Sequence, residues 1–427
     1  MSTLSLIQIA LVAVALGGLL LTTWELEAVR RVRRQALPPP PRYPGISLLK
    51  PLCGLDEELE INLRSHLAQE YPGPWEIVLG VRSAEDAAYP VARAFADRHP
   101  ERVRLVLQEG EPGHNPKVNQ LITLTRAARY EVIALTDSNV RVAPGYLVEV
   151  AAVLARPGVG LATHLFAGVG ERALGAALDN LTLSYFVAPS LSTSTLFLKW
   201  DNVVGKSMAL RREVLERLGG WHEVKDYLAE DHLVGKLLRR HGLRSALCRT
   251  PVQNVQIDHP LRHFWDRHAR WLTMRFRASP ATTLLEPLVL PVLFTLAAAL
   301  LAPANGTGWL IFAAAYAWEA AMVQASGRLV RGHWFKPWHL LLLPLREAIF
   351  FAAWVRGATR RHVEWRGNRL MVLWMTRLAE QAALDRVRNI RRRMPRSSTP
   401  PAGLEREVRG ARSGGGGPAC DRRAACS

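Results

Sequence analysis

Between Glu131 and Arg141 the sequence reads EVIALTDSNVR, an apolar run that stops abruptly on oxygen-bearing side chains. Val132 to Leu135 is a continuous hydrophobic stretch of strand length, the pattern of a strand buried inside a sheet. In open α/β sheets ligands collect at the carboxyl ends of the strands. Asp137, two residues beyond the run, and Asn139, two further on, can present hard oxygen ligands to Mg²⁺ or Mn²⁺. The same residues also suit a turn or a helix N-cap, and for an isolated example that is the better reading.

The surrounding residues supply a rhythm of strands and helices. Gly45 to Lys50, Glu76 to Val81 and Arg102 to Leu107 read as further strands. Helical patterns separate them over Asp56 to Gln69 and Tyr89 to His99, and another helix follows Asn115-Pro116-Lys117 to about Arg129. This alternation predicts an α/β unit with a largely parallel sheet over residues 43–260. Gly205 to Leu210 reads as a strand leading into a helix, Arg212 to Leu218, and Val252 to Ile257 as a short strand-like piece.

Apolar runs flank this unit. Leu4 to about Trp24 carries no charge, and Arg30, Arg31, Arg33 and Arg34 follow it, so residues 1–26 are expected to be a retained membrane anchor with the basic side in the cytosol. Residues 27–42 form a basic, Pro-rich linker, and residues 261–282 a helix next to the membrane. Across 283–355, Thr283 to Ala302 and Gly308 to Ala325 are long enough to span. Trp338 to Trp354 has Arg346 and Glu347 at its centre and is expected to lie at the interface or re-enter, with those two charges paired or facing protein. From Arg356 onward 17 Arg and no Lys face six Asp and Glu, so much of the net charge of +18 belongs to the last segment. Beside apolar helices, that charge points to anionic lipid and not to nucleic acid. Residues 356–396 read as a basic membrane-surface segment and 397–427 as a disordered tail. The expectation is an integral, multi-pass protein whose catalytic unit faces the cytosol; the Arg- and Ala-rich composition suggests a bacterial inner membrane. Four cysteines at scattered positions give no disulfide framework.

Other polar residues fall where chemistry is feasible, each with a plainer alternative. Asp86 follows a strand as Asp137 does, and can contact a base or ribose or cap a helix. Lys117 can meet a diphosphate as a point charge or sit exposed in a loop. Glu230 and Asp231 open a helix, where the helix dipole alone favours acids, yet a general base needs the same fixed carboxylate at a cleft edge. Arg267 and Arg270 share a helix face beside Trp271; they suit either a departing diphosphate or lipid headgroups.

Taken together these residues resemble the lipid-directed branch of the family 2-type glycosyltransferases, most closely the ceramide glucosyltransferases of family 21. The matching positions are Asp86, Asp137 in Asp-Ser-Asn, Asp231 in Ala-Glu-Asp-His, and Arg267-His-Ala-Arg-Trp271. Ser47 to Leu52, Asn115 to Asn119 and Glu364-Trp-Arg366 add to the likeness. The resemblance implies a GT-A fold that binds a nucleotide sugar, UDP-glucose being expected, and inverting transfer to a lipid hydroxyl such as that of ceramide. It implies that Asp86 contacts uridine, that Asp137 with Asn139 holds a divalent metal and the diphosphate, that Asp231 is the catalytic base, and that Lys117, Arg267, Arg270 and Trp271 complete the donor site. One departure stands out: the metal motif is Asp-Ser-Asn and lacks a second acid. Transfer of N-acetylglucosamine to a hopanoid lipid fits the same motifs. A processive polysaccharide synthase would share the acids but needs a conduit, and a non-enzymatic membrane scaffold would need neither Asp137 nor Asp231.

Overall fold

The apolar runs become β1 (Ile46–Pro51), β2 (Trp75–Val81), β3 (Val103–Leu107) and β4 (Val132–Thr136) in a computed structural model that describes residues 3–304, 306–365 and 368–380. They pair in parallel in the order β3-β2-β1-β4, Ile46 lying opposite both Trp75 and Val132. Side chains alternate between two cores as the period of two requires. Ile46, Leu48, Ile77, Leu79, Val132 and Ala134 pack under helices Leu59–Leu67, Tyr89–Arg98 and Tyr146–Leu154. Leu49, Val78, Ile133 and Leu135 pack under helices Pro116–Ala127, Arg212–Arg217 and Glu230–Arg240. Every residue of β1, β2 and β4 is buried, which is why these strands read as largely hydrophobic runs without alternation, broken only by polar residues such as Ser47, Lys50 and Glu76.

Beyond β4 the sheet departs from the parallel expectation. It continues with β5 (Val140–Arg141), β6 (Val159–Val169), β7 (Ser207–Arg211) and β8 (Arg244–Val255), giving the order β3-β2-β1-β4-β7-β6-β8-β5. β7 runs antiparallel to both β4 and β6, and β5 antiparallel to β8, so the sheet is mixed. The cause lies in residues 170–206. They leave β6 at the carboxyl edge, pass through helices Leu174–Leu181 and Ala188–Leu196, and return at that same edge, so β7 must run backward. The register Thr136 opposite Ser207 then brings Lys206 across from Asp137.

The first helix, Thr3–Arg34, is the one helix among the described residues long and apolar enough to cross a membrane. The continuous span expected over Thr283 to Ala302 is not formed. That stretch is broken into helix Pro280–Leu284, a 3₁₀ turn Glu286–Val289 and helix Pro291–Leu300. Pro287 and Pro291 lack the amide hydrogens an unbroken helix would use. Gly308 to Ala325 lies within helix Gly306–Val330. These pieces pack on the first helix: Gln8 Nε2 donates to the Ala298 carbonyl at 3.0 Å, Trp318 Nε1 to Thr23 Oγ1 at 3.2 Å, and a methyl on Gly18 would strike the Leu288 carbonyl.

Residues 338–354 form a short turn, Pro337–Leu340, and helix Leu343–Thr359. Arg346 and Glu347 are paired, as their central position demanded. Arg346 Nη2 lies 3.4 Å from Glu319 Oε1 and 3.5 Å from Glu347 Oε1, with all three side chains buried. The same helix packs on helix Leu261–Ala278 so closely that a Cβ at Gly357 would sit 2.8 Å from Leu272 Cβ. After it the chain turns back as β9 (His362–Trp365), β10 (Asn368–Val372) and β11 (Leu378–Glu380), an antiparallel sheet with no counterpart in the sequence reading. Arg366 and residues 381–427, with the end of the expected basic membrane-surface segment and the expected disordered tail, lie outside the described residues.

Candidate active site

β1, β2 and β4 end together, Pro51 opposite Gly80 and Leu49 opposite Leu135, and this edge gathers the polar residues. Asp137 leaves β4 there. Beneath it the buried Lys50 donates from Nζ to Thr136 Oγ1 at 3.1 Å and to the Asp137 carbonyl at 2.7 Å, while His66 Nε2 lies 2.9 Å from the same Thr136 oxygen. Burial pulls the Lys50 ammonium down to about 7 against the opposing pull of Asp137. The strand end is thus held by side-chain hydrogen bonds from two neighbouring elements.

The Asp137 carboxylate meets two ammoniums. Lys117 Nζ is 2.9 Å from Oδ1 and Lys206 Nζ is 2.8 Å from Oδ2. Burial works against the charge of Asp137, but the two lysines outweigh it and hold the carboxyl well below the usual range. Lys117 is placed by its helix. Asn115 caps that helix by accepting from the amides of Lys117 and Val118, and Pro116 fills the first turn, where no amide hydrogen is needed.

Lys117 also joins the donor residues to the second pair of acids. Its Nζ lies 3.1 Å from Glu230 Oε1 and donates to the Gly205 carbonyl at 2.9 Å. Gly205 in turn donates its amide to Asp231 Oδ2 at 2.8 Å, and His232 donates its own amide to Oδ1 at 2.7 Å. A Cβ on Gly205 would come within 3.1 Å of both Asp231 Oδ2 and Lys117 Nζ, so only a glycine fits without displacing them. Burial pushes the carboxyls of Glu230 and Asp231 up, opposed chiefly by Lys117. A carboxylate fixed by two amides and made more basic than usual has the character of a general base.

The loop before these acids is closed by the returning C-terminal strands. Leu228 donates its amide to the Thr376 carbonyl at 2.9 Å, Ala229 to Thr376 Oγ1 at 3.2 Å, and Leu378 to the Asp226 carbonyl at 2.7 Å.

The remaining sequence candidates are distributed around this centre. Asp86 is half-buried at the end of the loop after β2. Its Oδ1 accepts from the amides of Gly54 at 2.8 Å and Ala88 at 2.9 Å, so it ties the loop after β1 to a helix start. Ala88 precedes the helix, whose start takes no side-chain cap, so this is a turn bond and not a helix cap, with Oδ2 left for another partner. Arg267 is buried and committed: its Nη1 lies 2.7 Å from Asp179 Oδ2, and its guanidinium stacks 4.6 Å from the Trp271 ring. His268 Nε2 is 2.9 Å from the other Asp179 oxygen. Trp271 and Arg270 are half-buried on the same helix.

Among the residues placed here that the sequence did not single out are Lys206, Gly205 and Asp179. Each acts through a partner at least 26 positions away, so local spacing carried no signal for them.

A divalent cation can be tested against this geometry. Lys206 Nζ sits 2.8 Å from Asp137 Oδ2 and 3.0 Å from Asn139 Oδ1, so the two expected metal ligands converge on one point that an ammonium takes as a stand-in ion. The oxygens fit a cation. No group of three or more His, Cys, Asp and Glu suited to a metal occurs among the described residues, so a bound metal would draw its other ligands from substrate phosphates.

Several known proteins are similar to this chain. A ceramide glucosyltransferase from Caenorhabditis elegans is 29% identical over 255 residues, covering 58% of this chain and 54% of that protein. One from Komagataella phaffii is 28% identical over 315 residues, covering 60% and 61%. The chain spans a little over half the length of these relatives. Among solved structures, a mannosyltransferase from Pyrobaculum calidifontis in complex with GDP-Man and Mn²⁺ aligns at a TM-score of 0.49 and 23% identity, over 83% of this chain and 99% of that one. The profile of glycosyl transferase family 21 matches residues 10–378, from the first helix through all the acids and the Arg-Trp motif to the strands that close on Ala229, and the chain belongs to that family.

Proposed function

We propose that this chain transfers glucose from UDP-glucose to the hydroxyl of a lipid such as ceramide, with inversion at the anomeric carbon. The observation that carries this reading is the continuous charge network from Asp137 through Lys117 to Glu230, with Asp231 beside it, which sets a donor-type acid next to a base.

In this reading residues 43–260 are the catalytic unit. Asp231 takes the proton of the acceptor hydroxyl as its oxygen attacks the anomeric carbon, and the bond from that carbon to the phosphate oxygen breaks. Lys117, with Arg270 on the adjoining helix, meets the charge that grows on departing UDP. Trp271, stacked on Arg267, forms one wall for the acceptor. Asp86 turns its remaining oxygen to the uridine. Mg²⁺ or Mn²⁺ at Asp137 and Asn139 supplies further neutralisation of the diphosphate when bound. The first helix anchors the enzyme in a membrane, with the packed helices 280–300 and 306–330 beside it and the site facing the cytosol.

The test is transfer of radiolabel from UDP-glucose and UDP-N-acetylglucosamine, by detergent-solubilised protein, to ceramide, diacylglycerol and hopanoid acceptors. A single glucosylated ceramide supports the proposal. Another labelled lipid replaces donor or acceptor, a polymer replaces the single-sugar reaction, and no product with no nucleotide binding removes the enzyme assignment.

A further inference from the structure

A carboxylate needs one cation for neutrality, and Asp137 has two. Lys117 is shared with Glu230 and the Gly205 carbonyl, so its charge is spoken for elsewhere. Lys206 is different. Its Nζ touches Asp137 Oδ2 at 2.8 Å and the uncharged Asn139 Oδ1 at 3.0 Å, and its side chain keeps 16% of its exposure, at the open strand edge. The backbone dictates this placement, since Ser207 pairs with Thr136 and the residue before it must fall opposite Asp137. Ser138, between the two oxygen ligands, is turned away and bonds to Asp56, so Asp137 and Asn139 point the same way and Lys206 lies between them.

A divalent ion bound by the same two oxygens would have to occupy the space of that ammonium, because metal–oxygen bonds of about 2.1 Å leave no room for both. The absent second acid of Asp-Ser-Asn is then explained. With a fixed +1 charge tethered between the ligands, a further carboxylate is not needed to hold a cation there. A diphosphate brings its own negative charge, for which Asp137 gives up part of its hold on the two ammoniums.

We propose that Lys206 is a built-in counter-ion for the diphosphate, filling the place a divalent cation takes, so that nucleotide binding by this chain does not require added metal. The proposal rests on the reading of this edge as a nucleoside diphosphate site.

Calorimetric titration of the full detergent-solubilised chain with UDP, in EDTA and in Mn²⁺, tests it. Wild-type protein is expected to bind UDP in EDTA within about threefold of its affinity in Mn²⁺. Lys206→Met is expected to lose about tenfold or more in EDTA, the scale of a charge-assisted hydrogen bond, and to recover in Mn²⁺. Lys206→Arg keeps the charge and is expected to bind in EDTA, which separates loss of the cation from damage to the fold. Wild-type binding that appears only with Mn²⁺ overturns the proposal while leaving the nucleotide site intact, as does undiminished EDTA binding by Lys206→Met. No UDP binding under any condition overturns the nucleotide site as well.

Discussion

Arg267 donates to Asp179 across 2.7 Å, and both side chains are sealed from solvent. The first arginine of the Arg-His-Ala-Arg-Trp run is therefore not a loose charge waiting for a ligand. It is a strut, with its guanidinium over Trp271 and its partner acid also holding His268. Burial opposes the charge on Asp179, but Arg267 and His268 keep its carboxyl well below the usual range. Asp179→Asn leaves Arg267 buried without a counter-charge, a change worth about 3–5 kcal/mol. The expected result is a large drop in melting temperature together with loss of transfer; an unchanged melt would show that the pair does not brace the helix.

Asp231→Asn keeps the shape of the site and removes the proposed proton acceptor. Transfer is expected to fall about 10²- to 10⁴-fold while UDP affinity stays near wild type. In the wild-type enzyme burial raises this carboxyl, so the acid limb of the pH profile for kcat/KM is expected above the ordinary aspartate range. A profile whose limb lies in the ordinary range, or full activity in the variant, assigns the base elsewhere.

Asp137→Asn uncouples two ammoniums from their shared carboxylate. Because the folded-state pKa of Asp137 is depressed, its stabilisation is fully present above the unfolded value and is lost as pH falls through the folded value. The melting-temperature gap between wild type and variant is therefore expected to be steady from about pH 6 to 8 and to shrink below about pH 4. A gap that widens in acid would contradict the ion pairing.

Thr376→Val deletes the hydroxyl that accepts the Ala229 amide and leaves a buried donor unmet, at a cost of about 1–3 kcal/mol. Since Ala229 immediately precedes Glu230 and Asp231, kcat is expected to fall with little change in UDP affinity. Thr376→Ser, which restores the hydroxyl, should recover it; failure of the serine to do so would assign the effect to packing.

How much of this could be read from residues alone follows from where each signal lives. β1, β2 and β4 were legible because they are buried on both faces and their apolar runs end at one edge. Asp137 was legible for a related reason, as the first charge beyond a buried strand, and Asp231 as one of two acids in the first turn of a helix. β6 was not: its centre holds Thr163 and His164, buried polar residues that bond to β7 and the Ser207 hydroxyl, and these interrupt the hydrophobic run. Asp179 sits in an apolar helix and makes sense only beside residues 88 and 89 positions later. The break at Pro287 and Pro291 shows the reverse error, in which the length of an apolar run suggested one continuous helix that the prolines interrupt.

The strands that return after helix Leu343–Thr359 have a consequence for the order of events during synthesis. The loop leading to Asp231 is complete as a polypeptide long before Thr376 and Leu378 are made, yet two of its amides and one of its carbonyls find their partners only there. Helices Pro291–Leu300, Gly306–Val330 and Leu343–Thr359 lie between the two. A chain emerging from the ribosome therefore carries Glu230 and Asp231 behind an unfinished loop until those helices have been laid down. Under the proposed membrane-anchored reading, assembly beside the membrane and completion of the active site become the same step.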